Sequence, residues 1–91
     1  MAIAAVFNIQ GMTQQQYDQV IKDLETKGAG NPDGRLYHVA SLSEAGCLVI
    51  DVWESEEKLG QFGEVLIPTL VAAGVTPAEP QIHPVHNIIE G

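Results

Sequence analysis

The sequence predicts a single α+β domain over residues 1–91, with six elements in the order βαββαβ. Short apolar runs bounded by glycine or turn residues are typical of strands. Two longer segments repeat apolar residues at i, i+3, i+4 and i+7, as amphipathic helices do. A chain of 91 residues is long enough for one hydrophobic core and too short for a second domain.

The first strand and the first helix have clear limits. Residues Ala2 to Ile9 are apolar on both alternating faces, which indicates a strand that is covered on both sides. Thr13 and Gln16 have the Thr-x-x-Gln spacing of a helix-capping box. Gly28 is a typical helix stop. Between them lies one apolar stripe, formed by Tyr17, Val20, Ile21 and Leu24.

A hairpin, a second helix and a last strand complete the fold. Two strands, Leu36 to Leu42 and Cys47 to Trp53, flank a short turn. Ser55 caps a helix that ends at Gly74. The last strand is expected from Gln81 to Ile89, at a sheet edge because Pro84 cannot donate to a ladder. This order is the split βαβ or ferredoxin-like arrangement, a four-stranded antiparallel sheet of strand order 4-1-3-2 with two helices on one face.

Composition and charge exclude several classes of partner. Twelve acidic and four basic residues give a net charge of −8, which repels nucleic acid and anionic lipid headgroups. No apolar run approaches the roughly 20 residues of a membrane span. Without a signal-peptide pattern, and with the single cysteine Cys47, we expect a cytoplasmic protein.

The sheet requires a partner on its second face. Two helices cover one face only, yet the first and third strands are apolar on both. We expect the uncovered face to include some of Phe7, Val49, Trp53 and Val85. Because monomers rarely leave such a patch exposed, we expect a homodimer packed sheet to sheet, with a cavity between the two sheets.

Four segments resemble a known superfamily. They are Gly-Met-Thr after the first strand, Leu-Tyr-His-Val-Ala in the second, Asp-Val-Trp-Glu-Ser-Glu-Glu before the second helix, and Pro-Val-His-Asn in the last strand. Together they resemble the dimeric α/β-barrel superfamily, near its antibiotic-biosynthesis-monooxygenase group. That resemblance implies a dimeric barrel. The superfamily includes cofactor-free monooxygenases, haem-degrading enzymes, isomerases and cyclases, so the fold does not select a reaction.

The hairpin register decides which side chains meet. If Ser43 pairs with Gly46, His38 lies opposite Asp51 and Leu36 lies opposite Trp53. His38 would then be a general base held by a carboxylate. If Gly46 forms a bulge instead, Tyr37 joins Trp53 and His38 faces the other way. The sequence is compatible with both registers.

Other candidates come from the strands and from the resemblance. Trp53 and Asn8 match cavity residues of the resembling enzymes, so they join Tyr37 as candidate substrate-binding residues. The haem-degrading members also use a histidine on the second helix, which is missing here. His86 joins His38 and Asp51 as a candidate catalytic residue. His83 and His86, three apart in a strand, point to opposite faces unless Pro84 introduces a bulge, so we expect no metal site. We expect no cofactor either.

Two functions follow from these observations. The first is a cofactor-independent, monooxygenase-like enzyme that binds a small apolar or aromatic molecule between the two sheets. The second is a non-catalytic structural or ligand-binding dimer whose interface is filled by side chains. An open pocket with converging polar groups would favour the first.

Overall fold

The computed structural model describes residues 1–91 and has the predicted order of elements. They are β1 (Ile3–Gln10), α1 (Gln14–Thr26), β2 (Arg35–Ser43), β3 (Gly46–Trp53), α2 (Glu56–Ala72) and β4 (Gln81–Pro84). The four antiparallel strands form one sheet in the order β2-β3-β1-β4, which is the predicted order. The βαββαβ ferredoxin-like prediction is therefore confirmed.

Both helices begin as the sequence predicts. The Thr13 hydroxyl accepts from the Gln16 amide, and the Gln16 side chain accepts from the Thr13 amide, which completes the capping box. The Ser55 hydroxyl accepts from the Lys58 amide and caps α2. These bonds satisfy backbone donors that the first helical turn leaves free. Neither helix has the length and apolarity that a bilayer span requires.

The hairpin has the first of the two registers described above, with no bulge at Gly46. Ser43 pairs with Gly46, and His38 lies opposite Asp51. A Cβ at Gly46 would lie 2.3 Å from the Ile9 carbonyl oxygen, so only glycine fits between the hairpin turn and β1.

Two details of the strands differ from the prediction. A bulge at Leu36 shifts the register, so Arg35, and not Leu36, pairs with Trp53. The last strand ends at Pro84 and does not continue to Ile89, because its only neighbour is β1 and Pro84 already lies opposite Ile3, where β1 begins. β4 does lie at the sheet edge, as its proline predicted.

The two faces of the sheet have different environments. The face under the helices contributes the core residues Ile3, Ala5, Ile9, Cys47, Val49 and Trp53. The other face, here called the open face, is uncovered in one chain. Val39, Leu48 and Ile50 on it are 58%, 40% and 41% exposed. The open face is apolar, as expected.

Three of the four residues expected on the open face, Phe7, Val49 and Trp53, lie on the other face. On the helix side Phe7 pairs with Val49 and Ile3 pairs with Trp53, and Val49 and Trp53 are buried there. Successive side chains of a strand point to opposite faces of the sheet. The open face is therefore occupied by the residues between them, such as Leu48 and Ile50.

Candidate functional site

A cavity of about 580 Å³ lies between the helices and the sheet. Apolar side chains dominate its wall: Phe7, Ile9 and Val49 from the sheet, Val20 from α1, and Leu59 and Leu70 from α2. Its volume is in the roughly 300–1,000 Å³ range of small-molecule sites. We expected a cavity between the sheets of two copies, whereas this one lies on the opposite face of the sheet, within one chain.

One chain of hydrogen bonds reaches this apolar cavity. The Tyr17 hydroxyl lies 2.7 Å from His38 Nε2, and His38 Nδ1 lies 2.6 Å from Asp51 Oδ1. Trp53 Nε1–H donates to Asp51 Oδ2 over 3.2 Å. Tyr17, His38 and Asp51 line the cavity, and Trp53 is fully buried behind them. We call these four residues the relay.

Three elements position the relay. His38 on β2 and Asp51 on β3 are a cross-strand pair, which brings their side chains together on the helix side. Trp53 lies two residues after Asp51 and therefore points to the same side. Tyr17 reaches His38 from α1, with the two rings almost parallel at 8°.

The acceptor-only carboxylate sets the direction of these bonds. Asp51 is 4% exposed, and its two oxygens accept from His38 and Trp53. His38 Nδ1 is thus the donor, and in a neutral imidazole Nε2 must accept. Tyr17 O–H then donates to Nε2. The relay is therefore arranged to receive a proton at Nε2 and to stabilise the resulting imidazolium beside Asp51.

Burial keeps the Tyr17 phenol protonated. Removal from water raises the pKa of Tyr17 above its ordinary value of 10.0, and the negative charge of Asp51 acts in the same direction. Tyr17 therefore presents a neutral hydroxyl to the cavity. Such a group donates or passes on a proton, and it does not act as a phenolate.

The charged side chains around the cavity are mainly acidic. Glu56, Glu64 and Glu79 line it, against one cation, Arg35. The Arg35 guanidinium donates to the Gly30 carbonyl oxygen and stands 6.0 Å from the centre of the Phe62 ring. An anionic ligand would therefore meet more repulsion than attraction.

The structure separates the predicted catalytic residues. His38 and Asp51 meet at the cavity. His86 follows β4 and is exposed, away from the cavity lining. His83 is exposed on β4, and no cluster of three or more His, Cys, Asp or Glu side chains has the arrangement of a metal site.

The predicted substrate-binding residues lie outside the cavity lining. Asn8 lies opposite Leu48 and points to the open face. Tyr37 is on that face as well, because the hairpin register places it opposite Val52, and its hydroxyl donates to Glu90. Trp53 is not a lining residue itself; it donates to Asp51 and packs against the ring of Phe62 at 5.4 Å between ring centres, and both of those residues line the cavity. Asn8, Tyr37 and Trp53 therefore do not meet at the cavity.

Tyr17 is the site residue that the sequence did not reveal. Its position on the apolar stripe of α1 predicted a core residue, and its ring does pack against the core. Its hydroxyl forms a hydrogen bond with His38, which lies 21 positions further along the chain. The phenol oxygen was the one feature in the sequence that indicated a polar contact, because a buried tyrosine hydroxyl usually has a hydrogen-bond partner.

Solved structures of similar shape add one finding. SnoaB, a cofactor-independent oxygenase from Streptomyces nogalater, superposes with a TM-score of 0.63 at 11% identity, over 99% of this chain and 96% of SnoaB. Two proteins named for antibiotic biosynthesis monooxygenases are also similar. The one from Chloroflexus aurantiacus has a TM-score of 0.60 at 16% identity over the whole of both chains. The one from Caulobacter crescentus has 0.55 at 19%, over 97% of this chain and 89% of that one.

The chain has their fold. This likeness agrees with the resemblance to the dimeric α/β-barrel superfamily seen in the sequence. No protein-family model matches the sequence, and a search of curated proteins gives no match. At these identities the comparisons establish architecture, and the chemistry must be argued from the cavity.

Proposed function

We propose that this protein binds a small neutral hydroxyarene in the cavity and oxidises it with dioxygen, without a cofactor. The single observation that supports this proposal is the relay at the wall of an otherwise apolar cavity of about 580 Å³. The similarity in fold to a cofactor-independent oxygenase is consistent with the same chemistry. The site proposed here is within one chain and not between two sheets.

The proton chemistry follows from the direction of the hydrogen bonds. A substrate hydroxyl placed at Tyr17 Oη transfers its proton to Tyr17 as Tyr17 transfers its own to His38 Nε2. Asp51 stabilises the imidazolium that forms. The apolar wall limits the number of water molecules that can return the proton, which favours the electron-rich anion of the substrate.

Without a cofactor, the substrate itself must reduce dioxygen. A hydroxyarene meets this requirement because its anion is delocalised. In the overall reaction, the phenol O–H and the ring C–H opposite it are lost and a second carbonyl forms. One atom of O₂ becomes that carbonyl oxygen and the other leaves as water, so the hydroxyarene plus O₂ gives a quinone plus H₂O. Four electrons pass from the substrate to O₂.

Two tyrosine variants provide a matched test. Tyr17→Phe removes a hydroxyl from the cavity, and Tyr37→Phe removes one from the open face. With 1-naphthol as substrate, oxygen uptake by Tyr17→Phe should fall about 10²–10⁴-fold, the usual contribution of a positioned acid or base. Tyr37→Phe should retain the wild-type rate. Wild-type oxygen uptake by Tyr17→Phe would contradict the proposal.

A second candidate is a ligand-binding protein without turnover. It is favoured by one observation: His38 Nε2 is already bonded to Tyr17, so a ligand meets the hydroxyl before it meets the base. Saturable binding of 1-naphthol in calorimetry, with no oxygen uptake by the wild type, would support this candidate over the enzyme.

We also propose a homodimer that buries the open face. Val39, Leu48 and Ile50 give this face an apolar centre that a second copy would remove from water. Packing two such faces leaves both cavities free, because each cavity lies on the other side of its sheet. A reducing compartment suits the single unpaired cysteine, so the cytoplasm is the location proposed.

A further inference from the structure

The Tyr17 hydroxyl has the partner that one-electron oxidation of a phenol requires. A phenol that loses an electron becomes a far stronger acid, so its O–H proton must pass to a base in the same step. His38 Nε2 lies 2.7 Å from the Tyr17 oxygen. This nitrogen accepts, because Nδ1 of the same ring donates to Asp51. The base is therefore in place before the electron leaves.

Asp51 stabilises the ion that this proton transfer creates. A proton on Nε2 converts His38 to an imidazolium, and the Asp51 carboxylate lies 2.6 Å from its Nδ1. Asp51 is buried, so the attraction between the two charges is screened little. The imidazolium Nε2–H then donates to the oxygen of the oxidised tyrosine. The proton crosses a single hydrogen bond in this process, and neither ring has to turn.

Tyr17 is accessible to a small oxidant and is not ionised beforehand. It lines the cavity, so a molecule of the size of dioxygen can contact the phenol there. Burial raises the pKa of the Tyr17 phenol above its ordinary value of 10.0. Because the phenolate is absent near neutral pH, the electron and the proton of Tyr17 must leave together.

The other tyrosine of the chain lacks this arrangement. The sequence has two tyrosines, and Tyr37 lies on the open face, outside the cavity lining. Its hydroxyl donates to the exposed carboxylate of Glu90. A carboxylate is a weaker base than an imidazole. The combination of a histidine base with access to the cavity therefore occurs once, at Tyr17.

We propose that Tyr17 is a redox-active side chain that reduces oxygen-centred radicals in the cavity. The oxidant is the hydroperoxyl radical, which forms when dioxygen takes up one electron and one proton. This radical takes one electron from Tyr17 and becomes the hydroperoxide anion, which leaves as hydrogen peroxide after taking a proton from solvent. The Tyr17 O–H bond breaks and an N–H bond forms at His38 Nε2. Tyr17 is left as a neutral tyrosyl radical beside the imidazolium.

This activity goes beyond the proposed function, because it requires no aromatic substrate. The two share the relay, and the oxidation proposed above brings dioxygen into the same cavity. Tyr17 then removes oxygen radicals that leave that reaction, before they reach the core. When an electron returns to the tyrosyl radical, the proton returns from His38 and the relay is restored.

Two single-tyrosine proteins provide the experiment. Tyr37→Phe retains Tyr17, and Tyr17→Phe retains Tyr37. Each is oxidised, without substrate, by the azide radical, a small one-electron oxidant generated by pulse radiolysis. Optical absorption follows the tyrosyl radical, and the signal of the fully buried Trp53 is recorded separately at its longer wavelength. Electron–nuclear double resonance on frozen samples detects exchangeable protons at the radical oxygen.

Tyr37→Phe should form a tyrosyl radical whose oxygen accepts from one exchangeable proton, and that proton signal should disappear in D₂O. Adding His38→Gln to Tyr37→Phe leaves Tyr17 a hydrogen-bond acceptor that is not a base. The rate of radical formation should then fall at least about 100-fold, the usual contribution of a positioned base. Adding His38→Gln to Tyr17→Phe is the control and should leave the rate at Tyr37 unchanged. Urea unfolding shows which variants are folded.

Two results would overturn the inference. One is an equally fast Tyr17 radical in folded protein with His38→Gln. The other is the absence of the exchangeable proton, or of the radical itself, in Tyr37→Phe, and this test holds even if His38→Gln does not fold. Oxygen uptake with 1-naphthol separates the two proposals. A Tyr17 radical without oxygen uptake removes the proposed function alone, and oxygen uptake without a Tyr17 radical removes this inference alone.

Discussion

Replacing the carboxylate of Asp51 by an amide should reverse the tautomer of His38. The wild-type carboxylate accepts from His38 Nδ1 at 2.6 Å and from Trp53 Nε1 at 3.2 Å. In Asp51→Asn, the amide oxygen must face Trp53, because indole N–H only donates. The amide NH₂ then faces His38 Nδ1, which has to accept, so the imidazole proton moves to Nε2. Tyr17 can no longer donate to His38, and the base is lost.

The size of the effect follows from the type of hydrogen bond. A bond to an ionised group contributes about 1.5–3 kcal/mol, and a neutral one about 0.5–1.5 kcal/mol. Asp51 is 4% exposed, so water screens its two bonds little. Exchanging both for neutral bonds should lower the free energy of unfolding by about 2–3 kcal/mol. Oxygen uptake with 1-naphthol should fall about 10²–10⁴-fold.

Imidazole ¹⁵N chemical shifts measure the tautomer directly. We expect the wild type to show a protonated Nδ1 at His38 and Asp51→Asn to show a protonated Nε2, with urea unfolding recorded on both. Asp18→Asn, an isosteric change at an exposed position of α1, is the control and should alter neither. A wild-type His38 with its proton on Nε2 would refute the proposed direction of the relay.

Three further predictions concern the open face, the buried thiol and ligand charge. Leu48→Arg and Ile50→Asp should convert a dimer to a monomer in sedimentation velocity, and Val71→Asp on the exposed side of α2 should not; a wild-type monomer would exclude the dimer. Burial raises the pKa of the Cys47 thiol above 9.0 and that of the Tyr17 phenol above 10.0. Folding therefore favours the protonated thiol and phenol, so the urea concentration at half-unfolding should fall as the pH rises above 9. The fall should be less steep in Cys47→Ala. A urea midpoint that rises with pH would contradict the raised pKa values. Because acidic groups surround the cavity, 1-hydroxy-2-naphthoate should bind at least tenfold more weakly than 1-naphthol, and tighter binding would show that Arg35 dominates.

The order of elements was predictable because local signals agree along the chain. The capping box at Thr13, the cap at Ser55 and the stop at Gly28 each act over a few residues. Pro84 placed β4 at an edge for the same reason, since its missing N–H is a local property. Strand order then followed from the βαββαβ pattern.

The facing of the strands was not predictable from alternation. β1 and β3 are apolar on both sides, so a period of two separates their side chains into two sets without saying which set the helices cover. Phe7, Val49 and Trp53 were assigned to the wrong set for this reason. The cavity expected between the sheets of two copies stays a prediction, whereas the cavity within one chain lies on the helix side of the sheet.

The site was predictable only where it is local to the hairpin. The pairing of His38 with Asp51 follows once Ser43 pairs with Gly46 across a two-residue loop. A lone carboxylate in an apolar strand also indicates a buried partner for that carboxylate. The bulge at Leu36 has no signature in composition, and it places Arg35, where Leu36 was expected, opposite Trp53. Tyr17 meets His38 through the packing of α1 on the sheet, which sequence spacing does not encode.

Intermolecular NOEs between 1-naphthol and the ¹⁵N,¹³C-labelled protein test the central claim most directly. The claim is that the ligand site lies between the helices and the sheet, beside the relay. We predict NOEs from the naphthol ring to Tyr17, His38 and Phe7. NOEs confined to Val39 and Ile50 on the open face, or none at all at saturating ligand, would contradict it.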